Sequence, residues 1–321
     1  MHKVIFDTDP GIDDAMALLF LAAASEAELI GITTTFGNGT IETTTRNALY
    51  LAERFGIAAP VAQGAGVPLV GEAGEPPTFV HGHNGLGDID LPPTLKRTAD
   101  PRPAHRLIID LVRANPGEVE IVAVGRMTNL ALALREDPGI VPLVKQVVIM
   151  GGAFGIGGVL GNVTPAAEAN IWGDPLAADE VTAAAWPLVM AGLDVTQRTR
   201  MPTADLRALA EEAGEAGRFI WDISRFYEDF HRQGGVDSIY VHDSSAVAYL
   251  LEPTLFETRR GAIRVISEGL AFGQTIQKPA GTGFPPSAWD HRPEHLICTS
   301  VDSERLKRLY ADTLRQGLIN G

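Results

Sequence analysis

Short apolar, β-branched runs alternate with Ala/Leu-rich helical runs along most of this chain, and few folds accommodate that pattern. Residues 3–6, 29–36, 120–124, 146–150 and 188–193 have strand character. Residues 14–24, 43–55, 104–114 and 129–134 have helical spacing. Near-continuous apolar strands separated by helices build a parallel sheet covered on both faces. The sequence therefore predicts an α/β fold: an open, mostly parallel sheet flanked by helices, Rossmann-like in style. Residues 64–93 and 279–293 are rich in Gly and Pro and read as loops, and 201–235 reads as mainly helical. No repeat or linker interrupts the pattern, so residues 1–321 read as a single domain.

In such sheets the ligand lies beyond the carboxyl ends of the strands. After the first strand comes Asp7-Thr8-Asp9-Pro10-Gly11-Ile12-Asp13-Asp14. Pro10 and Gly11 turn the chain tightly between two pairs of carboxylates. Carboxylates so close repel one another unless a cation sits among them or some stay protonated. Oxygen ligands without cysteine or clustered histidine favour Ca²⁺ or Mg²⁺ over zinc. The plainer alternative is one aspartate capping the next helix and the others solvated. One cap is expected; four such side chains beside one apolar strand favour a metal site.

Charge excludes some partners. Asp plus Glu is 40 against 26 Lys plus Arg, a net −14, which repels both a phosphate backbone and an anionic membrane. Neither nucleic acid nor a membrane is an expected partner. The one cysteine, Cys298, follows an apolar run and reads as a core residue; alone it forms no intrachain disulfide. The N-terminus enters a strand without the long apolar core of a signal peptide, and the expected location is cytoplasmic.

Two further constellations are weaker alone. Asn162, Glu168 and Asn170 offer the donors and acceptors that match a sugar diol; in extended chain, Glu168 and Asn170 would point the same way. His242-Asp243 precedes a helix, where Asp243 is a natural N-cap and His242 either packs or works as an acid–base group.

Taken in order, these segments resemble the inosine–uridine preferring nucleoside hydrolase family. The resemblance rests first on residues 7–15, then on Gly37-Asn38, His81-Gly82, the 125–131 stretch GRMTNLA, Met150-Gly151-Gly152, Asn162 with Glu168-Ala169-Asn170, Gly192-Leu193-Asp194 and His242-Asp243. It implies a nucleoside hydrolase fold and calcium-dependent hydrolysis of ribonucleosides to free base and ribose. By resemblance, Asp9, Asp14, the carbonyl of Val124 and Asp243 hold Ca²⁺. Asp13, Asn162, Glu168, Asn170 and the backbone near Met150 meet the ribose. Asp9 is the general base, Asn38 lies near sugar and water, His242 is the leaving-group acid, and His81 lines the base pocket. The segment 226–231 is expected at the base, and a homodimer or homotetramer is expected by the same analogy. The chain departs from the family's common pattern at Val124, often Thr, and at Ser244, commonly Pro.

Two other readings compete. A phosphohydrolase of the haloacid dehalogenase type also places Asp-x-Asp after its first strand, but it needs a downstream Lys in a chain poor in Lys. A non-catalytic nucleoside-binding protein on the same fold needs neither Asp9 nor His242.

Overall fold

The computed structural model describes residues 1–318. β1 (His2–Thr8) leads to α1 (Ile12–Ala23), β2 (Ala27–Thr34) to α2 (Ile41–Arg54), and β3 (Val61–Gln63) to the single turn α3 (Thr78–His81). Next come α4 (Ala104–Ala114), β4 (Val119–Ala123), α5 (Thr128–Glu136) and β5 (Gln146–Met150). α6 (Ala169–Gly173), α7 (Pro175–Ala183), β6 (Leu188–Ala191) and α8 (Leu193–Thr196) follow. A small antiparallel ribbon joins β7 (Arg200–Met201) to β8 (Ile239–Tyr240) across α9 (Thr203–Glu212) and α10 (Gly214–Gln233). The chain continues through α11 (Ser244–Leu251), β9 (Phe256–Val265), β10 (Thr275–Pro279), β11 (Glu294–Val301) and α12 (Ser303–Arg315).

The main sheet has nine strands in the order β10-β9-β11-β6-β5-β4-β1-β2-β3. Pairing is parallel from β11 to β3, and β9 runs antiparallel to both β11 and β10. The mostly parallel sheet expected from the sequence is thus present. Alternation along β1 divides the core, with Val4 and Phe6 on one face and Ile5 on the other. α1 lies among α10, α11 and α12 on the first face, and every residue from Ile12 to Leu21 is buried. That surround explains its unbroken apolar run, since a helix covered on all sides needs no polar stripe. α4, by contrast, buries Leu107, Ile108 and Val112 and turns charged residues outward.

Several boundaries differ from the sequence reading for local reasons. β2 ends at Thr34, where Thr35 and Phe36 turn toward Gly37. α2 starts at Ile41, capped by the Thr40 hydroxyl, which accepts the Thr43 N–H. α3 supplies a helical turn inside a stretch read as loop. β9 and β10 had no sequence assignment; β9 exposes Glu257, Thr258, Arg259 and Arg260 in succession, which hides any period of two. Cys298 lies buried in β11, and burial pushes its thiol up to about 12, consistent with a core role. No helix among the described residues is long and apolar enough to cross a membrane.

Candidate active site

The strand order reverses direction between β1 and β4, the switch point at which open α/β sheets leave a crevice. A cleft of about 630 Å³ opens there. Asp9 enters it from the end of β1, Asp13 from the first turn of α1, Asn38 after β2, Val124 and Arg126 after β4, and Met150 from the end of β5. His81, Asn162, Glu168, Asn170, His242 and Asp243 complete the gathering of residues expected from the sequence.

The acidic turn folds around Asp14. Its Oδ1 accepts from the Thr8 hydroxyl at 2.6 Å and the Asp9 N–H at 3.1 Å. Its Oδ2 accepts from the Gly11 N–H at 3.0 Å and Asn38 Nδ2 at 2.8 Å. The Gly11 bond is the helix-capping interaction that the plainer reading allowed for one aspartate. Gly11 has no room for a side chain, because a Cβ there would press on the His81 ring and the Asn38 amide. Gly37 is constrained likewise by the Asp9 carboxylate, and this close approach lets the Asn38 N–H reach Asp9 Oδ2 at 2.8 Å.

Asp13, Asp14 and Asp243 each place a carboxylate oxygen within 4.8 Å of the others. Asp14 and Asp243 belong to the ligand set that the resemblance implies, whereas Asp13 is the residue it sends to the ribose. Asp9 and Val124 line the same cleft outside this cluster. The Val124 carbonyl accepts from Asn170 Nδ2 at 2.7 Å. Asp243 occupies the N-cap position of α11, yet its side chain caps nothing. Asp9 Oδ1 and Asp13 Oδ1 are buried with no hydrogen-bond partner among the described residues. Burial and mutual repulsion hold Asp9, Asp13 and Asp243 above the ordinary carboxylate range. Buried acids in this condition suit a bound cation.

Asp7 stands apart from the cleft. Its Oδ1 accepts from the Thr33 hydroxyl at 2.6 Å and Asn129 Nδ2 at 2.8 Å, which ties β1 to β2 and α5. The first aspartate of the acidic run is therefore a brace. Asp194, from the Gly192-Leu193-Asp194 motif, and Asp174 also brace loops: Asp174 accepts from the Leu69 N–H and the Thr128 hydroxyl, and Asp194 from the Phe154 and Ile156 N–H groups.

The polar trio is built differently from the extended chain expected. Glu168 is the N-cap of α6, accepting from the Asn170 and Ile171 N–H groups at 2.9 and 3.1 Å and from Gly152 N–H at 2.9 Å. Asn170 is thus in the first helical turn, and its amide bridges the carbonyls of Val124 and Met150. A helix start, rather than a strand's two-residue period, sets their relation. Asn162 is exposed and accepts the Ala169 N–H at 3.0 Å.

Opposite the acids runs an aromatic arc. His81 stacks on Tyr227 with centroids 5.7 Å apart; Tyr227 meets His231 at 4.3 Å, His231 meets Tyr240 at 5.0 Å, and Tyr240 meets His242 at 5.4 Å. His242 Nδ1 lies 2.7 Å from the Thr196 hydroxyl. Burial pushes His81 and His242 down to about 3. The sequence placed residues 226–231 at the base without naming contacts. Tyr227, Phe230 and His231 share one face of α10 at helical spacing, which was the available signal. Arg126 was quoted only within a motif. It lines the cleft wall, half-buried, with its guanidinium 4.5 Å from the Phe36 ring centroid and its charge felt by Asp9 and Glu168.

Comparison with known proteins decides the family. The model of the inosine-uridine preferring nucleoside hydrolases matches residues 4–308. The chain belongs to that family. It is 42% identical to uridine nucleosidase 1 of Arabidopsis thaliana, over 86% of this chain and 81% of that one. It is 38% identical to the inosine-uridine preferring nucleoside hydrolase of Leishmania major, covering 86% and 87%. A solved plant nucleoside hydrolase superposes with a TM-score of 0.93 at 38% identity, covering 98% and 99%. The chain is accordingly a nucleoside hydrolase, an enzyme of N-glycosyl bonds, on the nucleoside hydrolase fold.

Asp7 gives this nucleoside hydrolase a testable pH dependence. Burial pushes its carboxyl up to about 7, despite the Thr33 and Asn129 bonds, from 3.8 in the unfolded chain. The folded state holds that proton more tightly, so the contribution is fully present below pH 3.8 and is lost as pH rises through 7. With chelator present, wild type should lose on the order of 2 kcal/mol more than Asp7→Asn between pH 5 and pH 8. Urea unfolding at the two pH values measures this, and parallel losses would show that Asp7 is ionised in the native state.

Proposed function

We propose that this enzyme hydrolyses the N-glycosidic bond of ribonucleosides to free base and ribose, and that the reaction depends on calcium. The observation that carries the calcium reading is the oxygen cluster of Asp13, Asp14 and Asp243 beside the partnerless oxygens of Asp9 and Asp13. The cluster holds no thiol or imidazole, which favours a hard cation. Asp9, Asp14, Asp243 and the Val124 carbonyl would hold the ion, with Asp13 close by. When bound, the ion supplies positive charge that offsets the carboxylates and attracts sugar hydroxyls.

The remaining steps belong to the protein's own groups. Breaking the bond builds positive charge on the ribosyl ring, as in an oxocarbenium-like transition state. Glu168, Asn162, Asn170 and the Met150 carbonyl face the ribose and favour that charge. Asn38 holds Asp9 through Oδ2 and Asp14 through Oδ2, leaving Asp9 Oδ1 to take a proton from the attacking water. His242 meets the leaving base, and His81 lines its pocket. Burial makes neutral imidazole the resting form of His242, so its acid role requires that it gain a proton with nucleoside bound. A phosphohydrolase finds no support: no lysine lines the cleft among the described residues. The same proposal includes a single-domain cytoplasmic enzyme that assembles as a homodimer or homotetramer.

Ribose release from inosine, adenosine, uridine and cytidine should stop with chelator and return with added calcium. Turnover indifferent to chelator in metal-stripped protein would remove the calcium reading. His242→Ala should reduce turnover of natural nucleosides by about 10²-fold or more, yet spare p-nitrophenyl riboside, whose leaving group needs no proton. Equal losses on the two substrates would take His242 out of the acid role.

A further inference from the structure

His231 sits midway along the aromatic arc, on the cleft wall, with the rings of Tyr227 and Tyr240 on either side. Its Nδ1 lies 2.8 Å from the Tyr227 carbonyl. A carbonyl oxygen can only accept, so Nδ1 carries the proton and Nε2 of the neutral ring carries a lone pair. Nε2 makes no hydrogen bond among the described residues. Burial holds the imidazole below its ordinary range, which keeps that lone pair free at neutral pH.

His81 has the opposite polarity. The Ile12 N–H donates to His81 Nδ1 at 3.2 Å. Nδ1 is therefore the acceptor, and the proton of the neutral ring lies on Nε2. Both tautomers are set by backbone groups of helices, α10 for His231 and the start of α1 for His81. The two imidazoles flank Tyr227, so one wall of the cleft offers an acceptor and a donor on either side of that ring.

Resting on the ribonucleoside reading above, we propose that His231 is a specificity-determining residue whose Nε2 accepts the ring N–H of an oxo-base, while His81 donates to the adjacent carbonyl. Uracil and hypoxanthine present a ring N–H beside a carbonyl oxygen. Cytosine and adenine present an unprotonated ring nitrogen at that place, and its lone pair would face the lone pair of His231. The ribose, held across the cleft, fixes how the base is presented and so prevents it from turning to another edge. A buried site built to hydrogen-bond a donor discriminates strongly against a base that lacks it, because its own acceptor is then left unpaired.

The test is kcat/KM for uridine and cytidine with wild type, His231→Phe and His231→Gln. Phe keeps a ring of similar size and removes the acceptor; Gln keeps an acceptor oxygen. Wild type should favour uridine by about tenfold or more. His231→Phe should bring the uridine-to-cytidine ratio to within about threefold of unity, with His231→Gln in between. The ratio cancels any general loss of activity in a variant. A wild type that cleaves cytidine as well as uridine, or a His231→Phe ratio equal to that of wild type, overturns the proposal and leaves the ribonucleoside reading standing. Uridine and cytidine both left intact while inosine is cleaved overturns the proposal alone; failure of wild type to release ribose from inosine, adenosine, uridine and cytidine alike, with calcium present, overturns both.

Discussion

Buried carboxylates crowded at one end of a parallel sheet are the constraint around which this enzyme is organised. Asp9, Asp13 and Asp243 line one cleft with Glu168, and Asp14 lies buried beside them, within the same oxygen cluster as Asp13 and Asp243. Their repulsion would favour opening the turn if neighbouring groups did not hold it. Asp14 answers with four accepted hydrogen bonds, and Asn38 ties Asp9 to it. What those bonds leave over, the bare oxygens of Asp9 and Asp13, is the reactive surplus of the site.

The sheet makes this arrangement possible. At the β1–β4 switch point neighbouring connections leave in opposite directions, so a crevice forms without any strand being broken. α1, buried on all sides, fixes the acidic turn at its N-terminus, and α10, anchored by Phe219, Ile220 and Ile223, brings the aromatic arc to face it. One wall of the cleft is therefore acidic, and the other is aromatic, which suits a flat ring. The proposed cleavage of the bond between sugar and base falls where the two walls meet.

Much of this was legible in the sequence because local signals and global fold agreed. The apolar runs fixed the sheet's character, and the polar residues after each run pointed to its functional edge. Asp9, Asn38, His81, His242 and Asp243 do line one cleft, as their ordered motifs implied, and Asp14 lies behind them, bonded to Asn38. Other features depend on contacts that no local pattern reports. Asp7 reads like its neighbours, yet Thr33 and Asn129 draw it away into a brace. Glu168 and Asn170 look like residues of an extended loop, but Glu168 caps a helix of five residues that has little propensity signal of its own. The polarity of His231 and His81 depends on which backbone group each ring meets. β9 was concealed by its run of exposed charges.

The central claim is that these carboxylates form a calcium site whose unliganded state holds extra protons. Calorimetric titration of calcium into chelator-stripped protein, in buffers of differing ionisation enthalpy at pH 6 and pH 8, tests it directly. The account predicts binding accompanied by proton release, with affinity higher at pH 8. Absence of binding at millimolar calcium in folded protein, or binding that releases no proton at pH 6, would contradict it.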